Sequence, residues 1–313
     1  MSGGWNTIES DAGVFTYLLQ NLGAKDVQFE ELIALDPDSL RQLSPVYGVI
    51  FLFKYPTDEK PSATPRDGSF DHQAAEDIFF AAQTIQNACG TQALLSVLLN
   101  KDGDVDIGPH LREFKDFTTA FPSDLRGEAL SNSDLIRETH NSFARSSPFV
   151  DETQRAATGD DDVYHFVAYT PINGQLYELD GLQPAPISHG ACTADDFPDK
   201  VIPVLQRRIA RYPQTEIRFN LLAMVRDLRI RARDIGDVEW LQREEQKRTA
   251  WMWENALRRH NFVGFVGELA KGVVKAKVKE GTYDQWVDEA KAKTRQRAMD
   301  RAEKGAPSEA MDA

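Results

Sequence analysis

The sequence predicts an α/β (α+β) chain: a central antiparallel sheet flanked by helices, followed by a helical C-terminal extension. Three observations carry this reading. Strand candidates at 46–53, 164–169, 176–180 and 217–225 alternate with helical segments. Two of them flank Asn173-Gly174, a dipeptide suited to a tight antiparallel hairpin. Beyond Arg226 the strand patterns cease and charged helix takes over.

The elements follow in order. Ser10 or Asp11 caps a first helix whose apolar residues Val14, Phe15, Leu18 and Leu22 recur at helical spacing. Asp36-Pro37 starts a second helix, with Asp as cap and Pro in the first turn, and Pro45 ends it. Val46–Phe53 is apolar on both faces, so it belongs inside a sheet. Residues 56–72, rich in Pro, Ser, Asp and Gly, read as a surface loop. Ala88–Leu99 is almost wholly apolar and too long and unalternating for a strand, which predicts a buried helix. Helices near 108–118 and 133–143 precede a polar, irregular stretch at 144–162, and a helix near 194–210 precedes the last strand.

Composition narrows the classes. No run of about 18 apolar residues exists, so no membrane-spanning helix is expected. The N-terminus lacks a basic segment followed by an apolar one, and no secretory signal is expected. Two cysteines, Cys89 and Cys192, are too few for a disulfide framework and fit a reducing setting, cytoplasmic or nuclear. The net charge of −13 disfavours general nucleic-acid binding and favours a basic partner. That charge is uneven, +3 over residues 241–313 and −16 over the rest.

Chemistry centres on Cys89, at the start of the buried helix. A helix N-terminus stabilises a thiolate through unpaired N–H groups and the helix dipole. Gly90 permits close backbone approach, the Cys89 N–H can face a developing oxyanion, and Gln83 can add a second donor. A structural cysteine in an apolar helix explains the same residue equally well. Of six histidines, His72 lies in a loop, His110 and His140 in polar helical surroundings, His189 in a Gly-bounded loop and His260 in the charged tail. His165 instead opens an apolar strand directly after a polar loop, where a base is held rigidly yet within reach. Asp180 ends the next strand, and hairpin pairing brings it to His165 as an orienting carboxylate. A core histidine and a turn aspartate remain the alternative.

Gln83-Thr84-Ile85-Gln86-Asn87-Ala88-Cys89-Gly90-Thr91 resembles the nucleophile motif of the ubiquitin C-terminal hydrolases. His165-Phe166-Val167-Ala168-Tyr169 resembles their histidine strand and Leu176-Tyr177-Glu178-Leu179-Asp180-Gly181 their aspartate motif, all in family order. The resemblance covers about residues 5–228 and implies a papain-like cysteine protease fold acting on ubiquitin without metal or cofactor. It implies Cys89 as nucleophile, His165 as base and then acid, Asp180 as orienter, and Gln83 with the Cys89 N–H as oxyanion hole. In that family the segment at 144–162 crosses over the active site. Alternatives are a ubiquitin-binding scaffold with a poorly aligned site, and a papain-like hydrolase of another ubiquitin-like modifier.

The expected domain division is 1–228 for catalysis and 229–313 for partner binding. Phe262, Phe265, Val266, Leu269 and Val273 form one apolar stripe, and Thr282 with Gln285 forms a capping box. Trp253-Glu254-Asn255 and Arg258-Arg259-His260-Asn261-Phe262 resemble the extension of the family's proteasome-associated branch. The resemblance implies that the tail binds the adaptor domain of a proteasomal ubiquitin receptor. The Lys/Arg run at 291–304 is interspersed with acids, which disfavours nucleic acid. Asp102, Asp104, Asp106 and Glu113 mimic a calcium loop, but Ile107 stands where glycine is needed. His189 with Cys192 supplies too few ligands for zinc.

Overall fold

The structure, a computed structural model, describes residues 4–55, 64–143, 164–213 and 215–305. The chain divides into two compact units, one reaching Arg259 and one beginning at His260.

The larger unit begins as its sequence suggests. The Asp11 carboxylate accepts from Val14 N at 2.9 Å and caps α1 (Ala12–Asn21), whose Val14, Phe15, Leu18 and Leu19 are buried. β1 (Val27–Glu31) follows, then α2 (Pro37–Gln42), capped by Asp36. β2 (Val46–Lys54) is buried on both faces. Within the stretch read as loop, Ser69–Phe70 forms a short edge strand, β3, and residues 56–63 lie outside the described residues. After α3 (Ala74–Asp77), a single 3-10 turn (Gln86–Ala88) leads into α4 (Cys89–Leu98), all ten of whose residues are buried. Three helices follow: α5 (Gly108–Thr118), α6 (Ser123–Asn132) and α7 (Asp134–Asn141).

The expected hairpin is β4 (Tyr164–Ile172) and β5 (Gln175–Leu179), and Asn173 and Gly174 turn with φ of 50° and 78°. β6 (Ile187–Ala191), α8 (Phe197–Ile209) and β7 (Asn220–Arg226) complete the sheet layer. The seven strands run β1-β7-β2-β4-β5-β6-β3, every pair antiparallel.

Strand alternation divides the core in two. On one face Ile50, Phe166 and Ala168 pack with α1 and α4. On the other, Phe51, Phe53, Val167 and Tyr169 pack with α8. His165 has the parity of Val167 and Tyr169, so it belongs to the α8 face.

The division expected at 228/229 falls inside this unit, which continues through α9 (Leu228–Ile235) and α10 (Val238–Arg259). The contacts are specific. Trp251 lies so close to Gly13 that a Cβ there would approach its ring carbon to 2.7 Å. Asn255, 2% exposed, donates to Gly13 O at 3.1 Å, and Arg258 pairs with Asp11 at 3.0 Å. Arg248 bonds Gln28 and Asp227 at 3.0 Å each. Polar residues thus hold α10 to α1 and β1.

The second unit contains α11 (Val263–Lys279) and α12 (Tyr283–Gly305), joined at Gly281-Thr282. Among the described residues none of α11 is buried, and Phe265, Val266 and Leu269 are each more than half exposed.

Candidate active site

Cys89 is the first residue of α4, and it is 8% exposed. Among the described residues no side chain caps this helix, so its first N–H groups are not consumed by a cap. His165 Nε2 and Asp180 Oδ1 are 2.7 Å apart and both groups are buried. The Cys89 thiol is within side-chain hydrogen-bonding reach of His165. With Nε2 engaged by Asp180, the ring nitrogen left for the thiol is Nδ1.

The electrostatics favour a cationic ring. Burial works against charge on His165, but the charge and hydrogen bond of Asp180, with Cys89 adding to them, outweigh it and raise the imidazole to about 9. Burial pushes the Asp180 carboxyl up, and the His165 charge and hydrogen bond with the Leu182 N–H bring it below the ordinary carboxylate range. Leu182 N donates to Asp180 Oδ1 at 3.0 Å.

Gln83 is tied to the same corner by its backbone, its N–H donating to Gly181 O at 2.8 Å. A Cβ on Gly181 would meet the Gln92 amide nitrogen at 2.2 Å and Gln83 Cβ at 2.9 Å, so only glycine fits after Asp180. Gln92, buried in α4, donates from that amide to Ala81 O at 2.6 Å. Arg126 braces the approach: its buried guanidinium donates to the carbonyls of Ile78 at 2.7 Å and Thr119 at 2.9 Å. All four sequence-derived residues therefore meet at one end of the sheet.

Beside Cys89 opens a cleft of about 630 Å³. Residues 7–10 form one rim, and Leu52, Tyr164, Phe166 and Arg218–Asn220 line it further. Ser10 Oγ donates to Asn220 Oδ1 at 2.7 Å, and the Asn87 amide donates to Trp5 O at 3.0 Å, which fixes the rim. A Cβ on Gly90 would sit 3.1 Å from Ile8 Cδ1; the close approach allowed there is made by the chain's own N-terminal segment.

His140, in the polar helix α7, is fully buried. Its Nε2 contacts Asn6 O at 2.6 Å and its Nδ1 contacts Thr91 Oγ1 at 2.7 Å, and burial lowers it to about 4. It is a neutral strut between the rim and α4. Cys192 is buried, and burial raises its thiol to about 12, so it stays protonated. Asp102 and Asp106 pair with Lys115 at 2.7 Å and Lys25 at 3.0 Å, which gives the calcium-loop mimic a structural explanation. Residues 144–162, expected to cross the site, lie outside the described residues.

The sequence patterns missed the cleft rim, Gln92, Arg126 and the Gly181 contact. The glycine after Asp180 was the visible trace of the last.

The chain is similar to known proteins over most of its length. The family model described as ubiquitin carboxyl-terminal hydrolase, family 1, matches residues 5–210, and a second, described as ubiquitin carboxyl-terminal hydrolases, matches 235–278. The chain is 53% identical to ubiquitin carboxyl-terminal hydrolase 2 of Schizosaccharomyces pombe, over 92% of this chain and 97% of that protein. It is 38% identical to ubiquitin carboxyl-terminal hydrolase ubh-4 of Caenorhabditis elegans, over 94% and 95%. Among solved structures it resembles Trichinella spiralis UCH37 bound to ubiquitin vinyl methyl ester, with a TM-score of 0.62 and 35% identity over 82% of this chain and 99% of that one. The chain belongs to family 1 of the ubiquitin carboxyl-terminal hydrolases, thiol-dependent ubiquitinyl hydrolases, and carries a C-terminal extension like theirs.

Proposed function

We propose that this protein cleaves the bond at the C-terminal glycine of ubiquitin through a thioester on Cys89. The observation that carries the reading is the buried Cys89–His165–Asp180 constellation, with the last pair at 2.7 Å. The Cys89 thiolate attacks the glycine carbonyl while the α4 N-terminus, with Gln83, stabilises the oxyanion. His165 protonates the departing amine. It then takes a proton from water, whose oxygen attacks the thioester and releases Cys89. Asp180 keeps the imidazole oriented and favours its cationic form. The cleft beside Cys89 accepts the extended end of the substrate.

Support for ubiquitin comes from the relatives' names and from the ubiquitin-bound Trichinella protein. Hydrolysis of ubiquitin carrying a fluorogenic C-terminal amide tests the assignment. Turnover abolished by Cys89→Ala supports it, binding without turnover favours a scaffold, and indifference to ubiquitin overturns both readings.

We further propose that the second unit recruits the protein to the proteasome through the adaptor domain of a ubiquitin-receptor subunit, in cytoplasm and nucleus. The exposed stripe of Phe265, Val266 and Leu269 supports a protein partner. Because α10 belongs to the body, the informative truncation is after Arg259. Loss of proteasome co-purification with amide hydrolysis intact supports recruitment; retained association overturns it. Imaging of a tagged chain checks the compartments.

A further inference from the structure

The α8 face of the sheet holds a buried charge that the reaction above does not use. Arg208, in the last turn of α8, has a side chain only 13% exposed. Its guanidinium lies over the Phe53 ring, 4.3 Å from the centroid. Nη1 donates to the Tyr169 hydroxyl at 3.1 Å and to the Glu178 carboxylate.

Each contact leads to the dyad. Phe53 is the cross-strand partner of His165, and its ring meets the imidazole at 5.8 Å with an interplanar angle of 85°. Glu178 stands two residues before Asp180, so the two share one face of β5 and its continuation. Tyr169 pairs with Glu178 across the hairpin and shares its face with His165. One side chain therefore braces both strands that carry the dyad.

A buried ion pair contributes little stability over well-packed apolar residues, because desolvation offsets the attraction. Its value here is geometric. Arginine suits the task because its flat group stacks on an aromatic ring while its N–H fork engages oxygen acceptors. We propose that Arg208 is a positioning residue for hydrolysis: by clamping Phe53 and Glu178 it keeps His165 and Asp180 in register through the reaction. The inference rests on the reading of His165 as base and Asp180 as its orienter. Charge agrees with geometry. Burial and the His165 interactions dominate the Asp180 carboxyl, and Arg208 adds to what holds it low.

The test uses the full chain and the fluorogenic ubiquitin amide. Glu178 also contacts His189 Nε2 at 3.2 Å, so Arg208→Met is combined with Glu178→Gln, which removes both charges of the Arg208–Glu178 pair and keeps an amide oxygen for His189. The double variant is expected to lose about 10-fold in kcat with KM within about two-fold of the parent. Its rate is also expected to fall at lower pH on the alkaline side, as the His165–Asp180 contact loosens. Unchanged kcat and alkaline limb in the folded double variant overturn the proposal, as does a kcat loss matched by an equal KM rise. Arg208→Lys retains the charge without the planar stack and decides the matter if the double variant does not fold. A several-fold kcat loss supports the proposal, and parental kcat and pH profile overturn it. His165→Ala, measured alongside, separates the two readings: if it stays active the base assignment fails, whereas an inactive His165→Ala with an intact Arg208 series sinks only the clamp.

Discussion

Helices α4 and α11 are both built mainly from small and apolar residues, yet every residue of α4 is buried and, as described, none of α11 is. In α4 the apolar surface is matched within the chain by β2, β4 and the N-terminal helix, and the helix N-terminus brings Cys89 to His165. In α11 a similar supply of valine, leucine and phenylalanine meets solvent. Burial in the first case fixes the Cys89 thiol; exposure in the second leaves an apolar stripe in solvent. Apolar content alone does not separate the two roles. The difference lies in whether the chain supplies a complementary surface.

The contrast can be broken at four points. The largest effect is on chemistry: Cys89→Ala should lower the rate by roughly 10⁶-fold, to the detection floor, while Cys192→Ala keeps turnover near the parent in the amide assay. Next comes proton linkage. The His165 ring is cationic below about 9 and loses its proton above, so kcat/KM should fall as pH rises through that value. Asp180→Asn removes the charge that raises the ring, and a pH profile should show the alkaline limb moving down toward the ordinary value of about 6.5. An unmoved limb would separate His165 from the reaction.

Stability supplies the third point. Leu95→Ala in α4 opens a cavity at a fully buried site and should cost about 2–5 kcal/mol in denaturant unfolding. The smallest effect belongs to α11, where Leu269→Ala at an exposed site should change stability by no more than about 0.5 kcal/mol. The same substitution should weaken proteasome co-purification. A large stability loss from Leu269→Ala would mean that α11 is packed after all, and the contrast would fall.

How much was legible depended on range. The hairpin was readable because Asn173-Gly174 states its own turn, and α4 because its apolar run is contiguous. β1 escaped notice: it is five residues long and takes its meaning from β7, with Val27 opposite Arg226. Arg208 was invisible for the same reason, since its partners come from three different strands. The packing of α10 was hidden for another reason: its anchors Asn255 and Arg248 are polar, and polar residues in a helical pattern read as solvent-facing. The quartet Cys89, His165, Asp180 and Gln83 was clearer, because its local motifs sit at strand and helix ends, where sequence order still reports position. Gln92 and Arg126 support that quartet through backbone carbonyls, which leave no residue-type signature in the partner.

Strand parity has a consequence for the assembly of the site. The thiol is borne by the layer on one side of the sheet and the imidazole by residues facing the other, so neither half-assembled layer holds a complete triad. Undocking either layer would part Cys89 from His165. Cys89 and His165 face one another only when both layers are docked on the sheet.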